Sequence, residues 1–186
     1  GLDVVLGAQV TERRFGDVLV DGTAFPISFM GRRVVVLDVE GMKAMLAWLD
    51  ETFGTGGHAI LFDMGYQAGR TVVNRLKEKY GLKGLGALDA FLSLCVAMGW
   101  FDYEFVEVDE TTPRLRIRLY ESFECSAFRG KATKPMAHLI RGIVSGAVAE
   151  ALGEELSARE VRCLALGDEY CELLLEPRGK AREKEA

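Results

Sequence analysis

The stretch EVRCLALGDEYCELLLEP, residues 160–177, decides how the chain is read. Two apolar runs flank Gly167-Asp168, a turn dipeptide, so the segment reads as a β-hairpin. Centring the turn on Gly167 sets Cys163 opposite Cys171. Directly opposed residues in an antiparallel pair hold their Cβ atoms roughly 4.5–5.5 Å apart. Two thiolates that close can share one zinc ion. A disulfide fits the same spacing, and so do two small buried hydrophobes. Glu160 lies three residues before Cys163, so in a regular strand it points to the opposite face. It joins the cysteines only if the strand starts after it or carries a bulge.

Working outward, a helix starts near Pro135, since proline suits a first turn, and ends at Gly153. It carries Leu139, Ile143, Val144, Ala147 and Leu152. Before it, MGWFDYEFVEVD and PRLRIRLYESFEC read as two strands joined by the polar turn DETTP. Leu85 to Met98 reads as a buried helix, and His58 to Tyr80 as another that stops at Gly81. GTGG (54–57) separates that helix from one carrying the stripe Met42, Met45, Leu46, Leu49 and Phe53. Asp17 to Val39 is strand-like, with a hairpin turn at Gly31. Strands grouped in hairpins around helices predict an α+β fold with an antiparallel sheet and about four helices. A single domain is expected over residues 1–176, followed by a disordered charged tail, 177–186.

The 186 residues carry a net charge of −5 and only four cysteines. That balance offers no electrostatic footprint for nucleic acid and no polybasic attraction to a membrane. No apolar run reaches spanning length, and the opening GLDVVLGAQVTERR lacks the layout of a secretory signal. The first residue is not Met, so a longer natural N-terminus is expected. The cysteine density is not that of a disulfide scaffold, which makes a cytoplasmic setting the expectation.

PMAHLIRGIVSGAVAEALGE followed by EVRCLALGDEYCELLLEP resembles the 4-vinyl reductase domain family, related to the Bet3-type vesicle-tethering fold. The likeness extends to ILFDMGYQAGR (60–70) and LYESFEC (119–125). It implies a predicted hydrocarbon-binding protein or a sensory domain for aromatic effectors. It also implies zinc held by a glutamate, two hairpin cysteines and a cysteine at the start of the preceding helix. Glu160, Cys163 and Cys171 match that set. The helix-start position is Ala137 here, so the fourth ligand is expected to be Cys125, with His138 beside Ala137 as the alternative.

Aromatic-sensing relatives clamp a phenol with a histidine and a tryptophan. The nearest positions here hold Cys95 and Leu119 or Tyr120, which favours a more apolar ligand. Cys95, Trp100 and Tyr120 are the candidate pocket residues; an ordinary core role for Trp100 and Phe101 competes with a place at the pocket mouth. Nucleophile-elbow, Walker and dinucleotide-loop patterns are absent. A vinyl reductase role in tetrapyrrole synthesis finds no hydride donor in the chain, so no catalysis is expected. Gly65 and Gly69, and Gly142 and Gly146, are spaced i, i+4. Mid-helix glycine costs about 1 kcal/mol relative to alanine, so these faces imply close backbone contact, within the chain or across a homodimer, or a ligand lying along them. The expectation is a homodimeric binding or sensory domain for a small apolar or aromatic molecule. An assembly adaptor of the tethering type is the alternative.

Overall fold

A computed structural model describes residues 13–15, 18–21, 28–29, 32–109 and 114–177. The chain read as one domain divides into two compact units, Gly1–Asp38 and Val39–Ala186. In the first, β1 (Arg13–Phe15), β2 (Val18–Asp21), β3 (Ser28–Phe29) and β4 (Arg32–Arg33) form an antiparallel meander in chain order. Gly31, the expected turn residue, lies outside the described residues, as do 110–113 and most of the charged tail. The expected strand does not run to Val39, because residues 34–38 have no regular structure.

The second unit opens with α1 (Val39–Phe53), α2 (Thr55–Tyr80) and α3 (Gly84–Ala97). Gly54 alone, at φ 51°, breaks α1 from α2, and the rest of GTGG joins α2. Of the α1 stripe only Leu46 is buried; Met45 and Phe53 are exposed. Then come β5 (Asp102–Asp109), β6 (Arg114–Tyr120), α4 (Phe123–Ser126), α5 (His138–Leu152), β7 (Leu156–Arg162) and β8 (Cys171–Pro177). The strands form one antiparallel sheet in the order β5-β6-β8-β7. This is the α+β fold with an antiparallel sheet that the hairpin pattern predicts.

One departure matters for the site. The strand read through Cys125 stops at Tyr120, because Glu121 takes φ 50° and turns the chain into α4. A left-handed non-glycine residue is uncommon, and no local spacing announces it.

The core lies between α3, α5 and the inner face of the sheet. Leu115, Ile117 and Leu119 of β6, Leu173 and Leu175 of β8, Leu88, Phe91 and Leu92 of α3, and Ile140 and Val144 of α5 all fill it. The glycines resolve to helix packing inside the chain. Gly65 and Gly69 abut the α5 backbone at Leu139 and Ile143, while Gly142 and Gly146 abut the carbonyls of Phe62 and Tyr66.

On the outer face of the sheet, Glu172 is nearly inaccessible. It accepts hydrogen bonds from Arg116 Nη1 at 2.8 Å and Arg118 Nε at 3.0 Å. Burial alone would raise its pKa, but the two guanidinium donors outweigh burial and hold it below the usual value. A carboxylate with a depressed folded pKa adds stability above its unfolded pKa, and loses it as pH falls through the folded one. Glu172→Gln should therefore cost about 1–3 kcal/mol at pH 7. The melting-temperature gap to wild type should close below about pH 4. A gap independent of pH in thermal melts would contradict the charge assignment.

Candidate metal centre

Four side chains from three separated segments meet at one end of the sheet. β7 and β8 pair in regular register from Leu156↔Pro177 to Glu160↔Leu173, then shift between Glu160 and Arg162. The bulge at Val161 is the device that Glu160 requires. Opposite Leu173, Glu160 shares the core face with Cys171, two residues along β8. The chain then leaves β7 at Cys163, makes a single 3₁₀ turn, Leu164–Leu166, and reverses at Gly167, φ 101°.

The turn is stapled from within. Asp168 Oδ2 accepts the Cys163 N–H at 2.8 Å, and the Cys163 carbonyl accepts the N–H groups of Leu166 and Asp168. Gly130 and Ala132 donate to the carbonyls of Leu164 and Ala165. The loop after α4 is thereby fastened to the hairpin tip.

Cys125, from α4, completes the group. Its Sγ lies 3.7 Å from Cys163 Sγ and 3.9 Å from Glu160 Oε1. The ligand atoms of Cys125, Glu160, Cys163 and Cys171 all fall within 4.8 Å of one another. The three cysteines have no exposed surface. Each thiol is free of a disulfide.

Backbone donors surround the cluster. The Ala137 N–H reaches Glu160 Oε2 at 3.1 Å, and the Leu164 N–H reaches Cys171 Sγ at 3.4 Å. Thiol hydrogen bonds from Cys125 and Cys171 drive the Cys163 pKa down. The same crowding holds the Cys125 thiol up. Burial pushes Glu160 up to about 8. Four acidic groups this close and this dry all lose their protons only with a cation among them, because like charges in a low dielectric disfavour one another. Three sulfurs and one oxygen in a closed set suit tetrahedral zinc. The donors present fit that ion.

Glu124, next to Cys125 and also buried, was not foreseen from the sequence. Its carboxylate accepts the N–H groups of Leu139 at 2.8 Å and Ile140 at 2.9 Å. Burial lifts it to about 7 against the pull of those amides. α5 has no side-chain cap of its own, so Glu124 supplies one from another element. A carboxylate between Phe123 and Cys125 was the available signal.

Of the two expected fourth ligands, Cys125 is in the cluster and His138 is not. His138 turns away and stacks on His58 of α2, ring centroids 3.8 Å apart. The three pocket candidates do not converge. Cys95 is fully buried and its thiol is pushed up by burial alone. Trp100 is half-buried, edge-on to Phe123. Tyr120 stands on the other face of β6 from Leu119, with its hydroxyl on Glu104 Oε2 at 2.7 Å. The alternation in RLRIRLY, apolar residues inward and arginines outward, already assigned Tyr120 to that face.

A cleft of about 500 Å³ lies instead between α2, α5 and β7, reaching His58, Phe62, Tyr66, His138, Arg141 and Ala158. Its α5 and β7 walls are tied together at the cluster, through the hydrogen bond from Ala137 to Glu160.

Comparison with known proteins shows what the chain is similar to. Residues 115–177, from β6 through the cysteine hairpin, match the sequence model of the V4R domain. That segment is similar to the V4R domain. All four donors of the cluster fall inside the matched V4R segment. An uncharacterized protein of Methanocaldococcus jannaschii is 27% identical over 126 residues, 67% of each chain. The fold recurs in the phenol-responsive sensory domain of the transcription activator PoxR, solved with phenol. That likeness has a TM-score of 0.72 at 21% identity, covering 81% of this chain and 80% of that one. A vinyl-4-reductase family protein from M. jannaschii gives 0.54 at 17% identity, over 77% and 83% of the two chains. A trafficking protein particle complex subunit 3 from Naegleria fowleri, covalently bound to palmitic acid, gives 0.52 at 14%, over 74% and 93%. These likenesses show that the chain shares a Bet3-like fold with them.

Proposed function

We propose that the protein is a non-enzymatic small-molecule-binding or sensory domain whose β7–β8 hairpin is pinned by structural zinc. The observation that carries this reading is the linkage of the donor cluster to the cleft. Cys125, Glu160, Cys163 and Cys171 would hold the ion, and through Glu160 and Ala137 the same group joins the two walls of the cleft. When bound, zinc would supply a closed cross-link between α4, β7 and β8, with no open position for water. The relatives solved with phenol and with palmitic acid support binding of a small organic ligand within this fold. A role without catalysis is supported by the histidines. Burial lowers His138 to about 4, and His58 is engaged with Asp50.

A homodimer in a reducing cytoplasm belongs to the same reading. Exposed Met45 and Trp48 of α1 and Ile60 and Met64 of α2 support a partner surface there. No single described helix is long and apolar enough to cross a membrane. The tethering-adaptor alternative cannot use the glycine faces, which are consumed between α2 and α5.

Native mass spectrometry of protein purified without chelator tests the reading. One zinc per chain, two chains per particle and an organic adduct of low mass are expected. A metal-loaded sample whose melting temperature ignores chelation would contradict the structural role of the ion.

A further inference from the structure

Arg141, on the first turn of α5, stands half-buried on the wall of the cleft. Its Nη1 donates one long bond, 3.5 Å, to the Ala158 carbonyl. Its guanidinium carbon lies 5.0 Å from the centroid of Phe62. Among the described residues no carboxylate comes within ion-pair reach of it. Glu160 and Glu124 favour its charge from a distance, but both carboxylates are hydrogen-bonded elsewhere, to Ala137 and to the first turn of α5. A guanidinium offers five N–H donors in a planar fork, and this one spends a single weak bond. Partly burying a cation without a counter-ion costs free energy that an incoming anion would recover. On the same lining, His138 leaves Nε2 buried with no hydrogen-bond partner.

The surroundings narrow the anion. Phe62 and Tyr66 stack with centroids 6.3 Å apart and make a flat apolar wall beside the guanidinium. The rim carries exposed Asp63 and Glu155, the latter accepting the Tyr66 hydroxyl at 3.2 Å. Two carboxylates at the mouth repel a doubly charged ligand more than a singly charged one. A planar body with one carboxylate satisfies the fork, the wall and the rim together. We infer that the cleft between α2, α5 and β7 binds an aromatic monocarboxylate, its carboxylate on Arg141 and its ring against Phe62. The inference gives a location and a ligand class to the binding role proposed above, and rests on that role.

Calorimetry on the full-length, zinc-loaded protein tests it with benzoate, benzamide, phthalate and phenol. Benzoate should bind at least about tenfold more tightly than benzamide or phthalate. Arg141→Gln should lose about tenfold or more of benzoate affinity with zinc content unchanged, and Arg141→Lys should lose less. Amide shifts induced by benzoate in the wild-type protein should centre on residues 62, 141 and 158, a readout that needs no variant to fold. Equal binding of benzoate and benzamide, or shifts elsewhere, would overturn the inference. Phenol binding that is indifferent to Arg141→Gln, without benzoate binding, would sink the carboxylate site and leave the general binding role standing. Silence from all four probes would count against both.

Discussion

Cys163→Ser should abolish the proposed zinc binding and lower the melting temperature by roughly 8–16 °C, the equivalent of about 4 kcal/mol in a unit of this size. Cys163 is the hub of the cluster, 3.7 Å from the Cys125 sulfur, and its pKa is held down by the neighbouring thiols. A serine hydroxyl stays protonated near neutral pH and is a poor zinc ligand. The remaining thiols and Glu160 would then be crowded acids in a dry site. Most would reprotonate, and α4 would lose its tie to the hairpin. Metal analysis by mass spectrometry and thermal unfolding by circular dichroism read the two effects separately. Cys95→Ala is the control. That thiol is buried in the core and is not among the clustered donors, so the variant should lose stability while binding zinc as the wild type does. Full zinc content in Cys163→Ser would rule the cluster out as the zinc site.

Gly146→Ala should destabilise the second unit by at least about 3 kcal/mol, although alanine is the better helix former by about 1 kcal/mol. A methyl group there would sit 2.8 Å from the Tyr66 carbonyl carbon and closer still to its oxygen. The obstacle is backbone in the middle of α2, so no side chain can rotate aside. Gly142 meets Phe62 in the same way one turn earlier, and Gly65 and Gly69 return the contact from α2. The helices therefore separate along their length or the variant does not fold. Gly86→Ala reverses the sign. A Cβ at Gly86 meets nothing within 4 Å, so the loss of unfolded-state entropy should stabilise by about 0.5–1 kcal/mol. Denaturant titrations of both variants against wild type supply the comparison. A neutral Gly146→Ala would mean that the two backbones do not touch.

The helix-packing role of the glycines was legible because i, i+4 spacing places small residues on one stripe whatever the partner. The long helices were legible from their apolar period, and the hairpin from its turn dipeptide. Less could be read where one residue redirects the chain. Glu121 ends β6 with a left-handed backbone, and the apolar letters after it look equally at home in a strand. That miss hid α4, and with it the Glu124 cap on α5. Tyr120 stands among the pocket candidates through the likeness to aromatic-sensing relatives, and the alternation of β6 turns its side chain to the face that carries the arginines.

From the order of residues alone came the α+β class and the cysteine hairpin, which depend on neighbours in the chain and on the strand and helix periods; the four donors Glu160, Cys163, Cys171 and Cys125 came from the family resemblance. The folded chain decided between the two expected fourth donors, bringing Cys125, 38 residues before Cys163, into the cluster and stacking His138 on His58. It also decided the bulge that turns Glu160 inward and the half-buried Arg141 without a carboxylate partner. Those features arise where distant segments exclude water together, and burial of that kind has no period for a sequence to display.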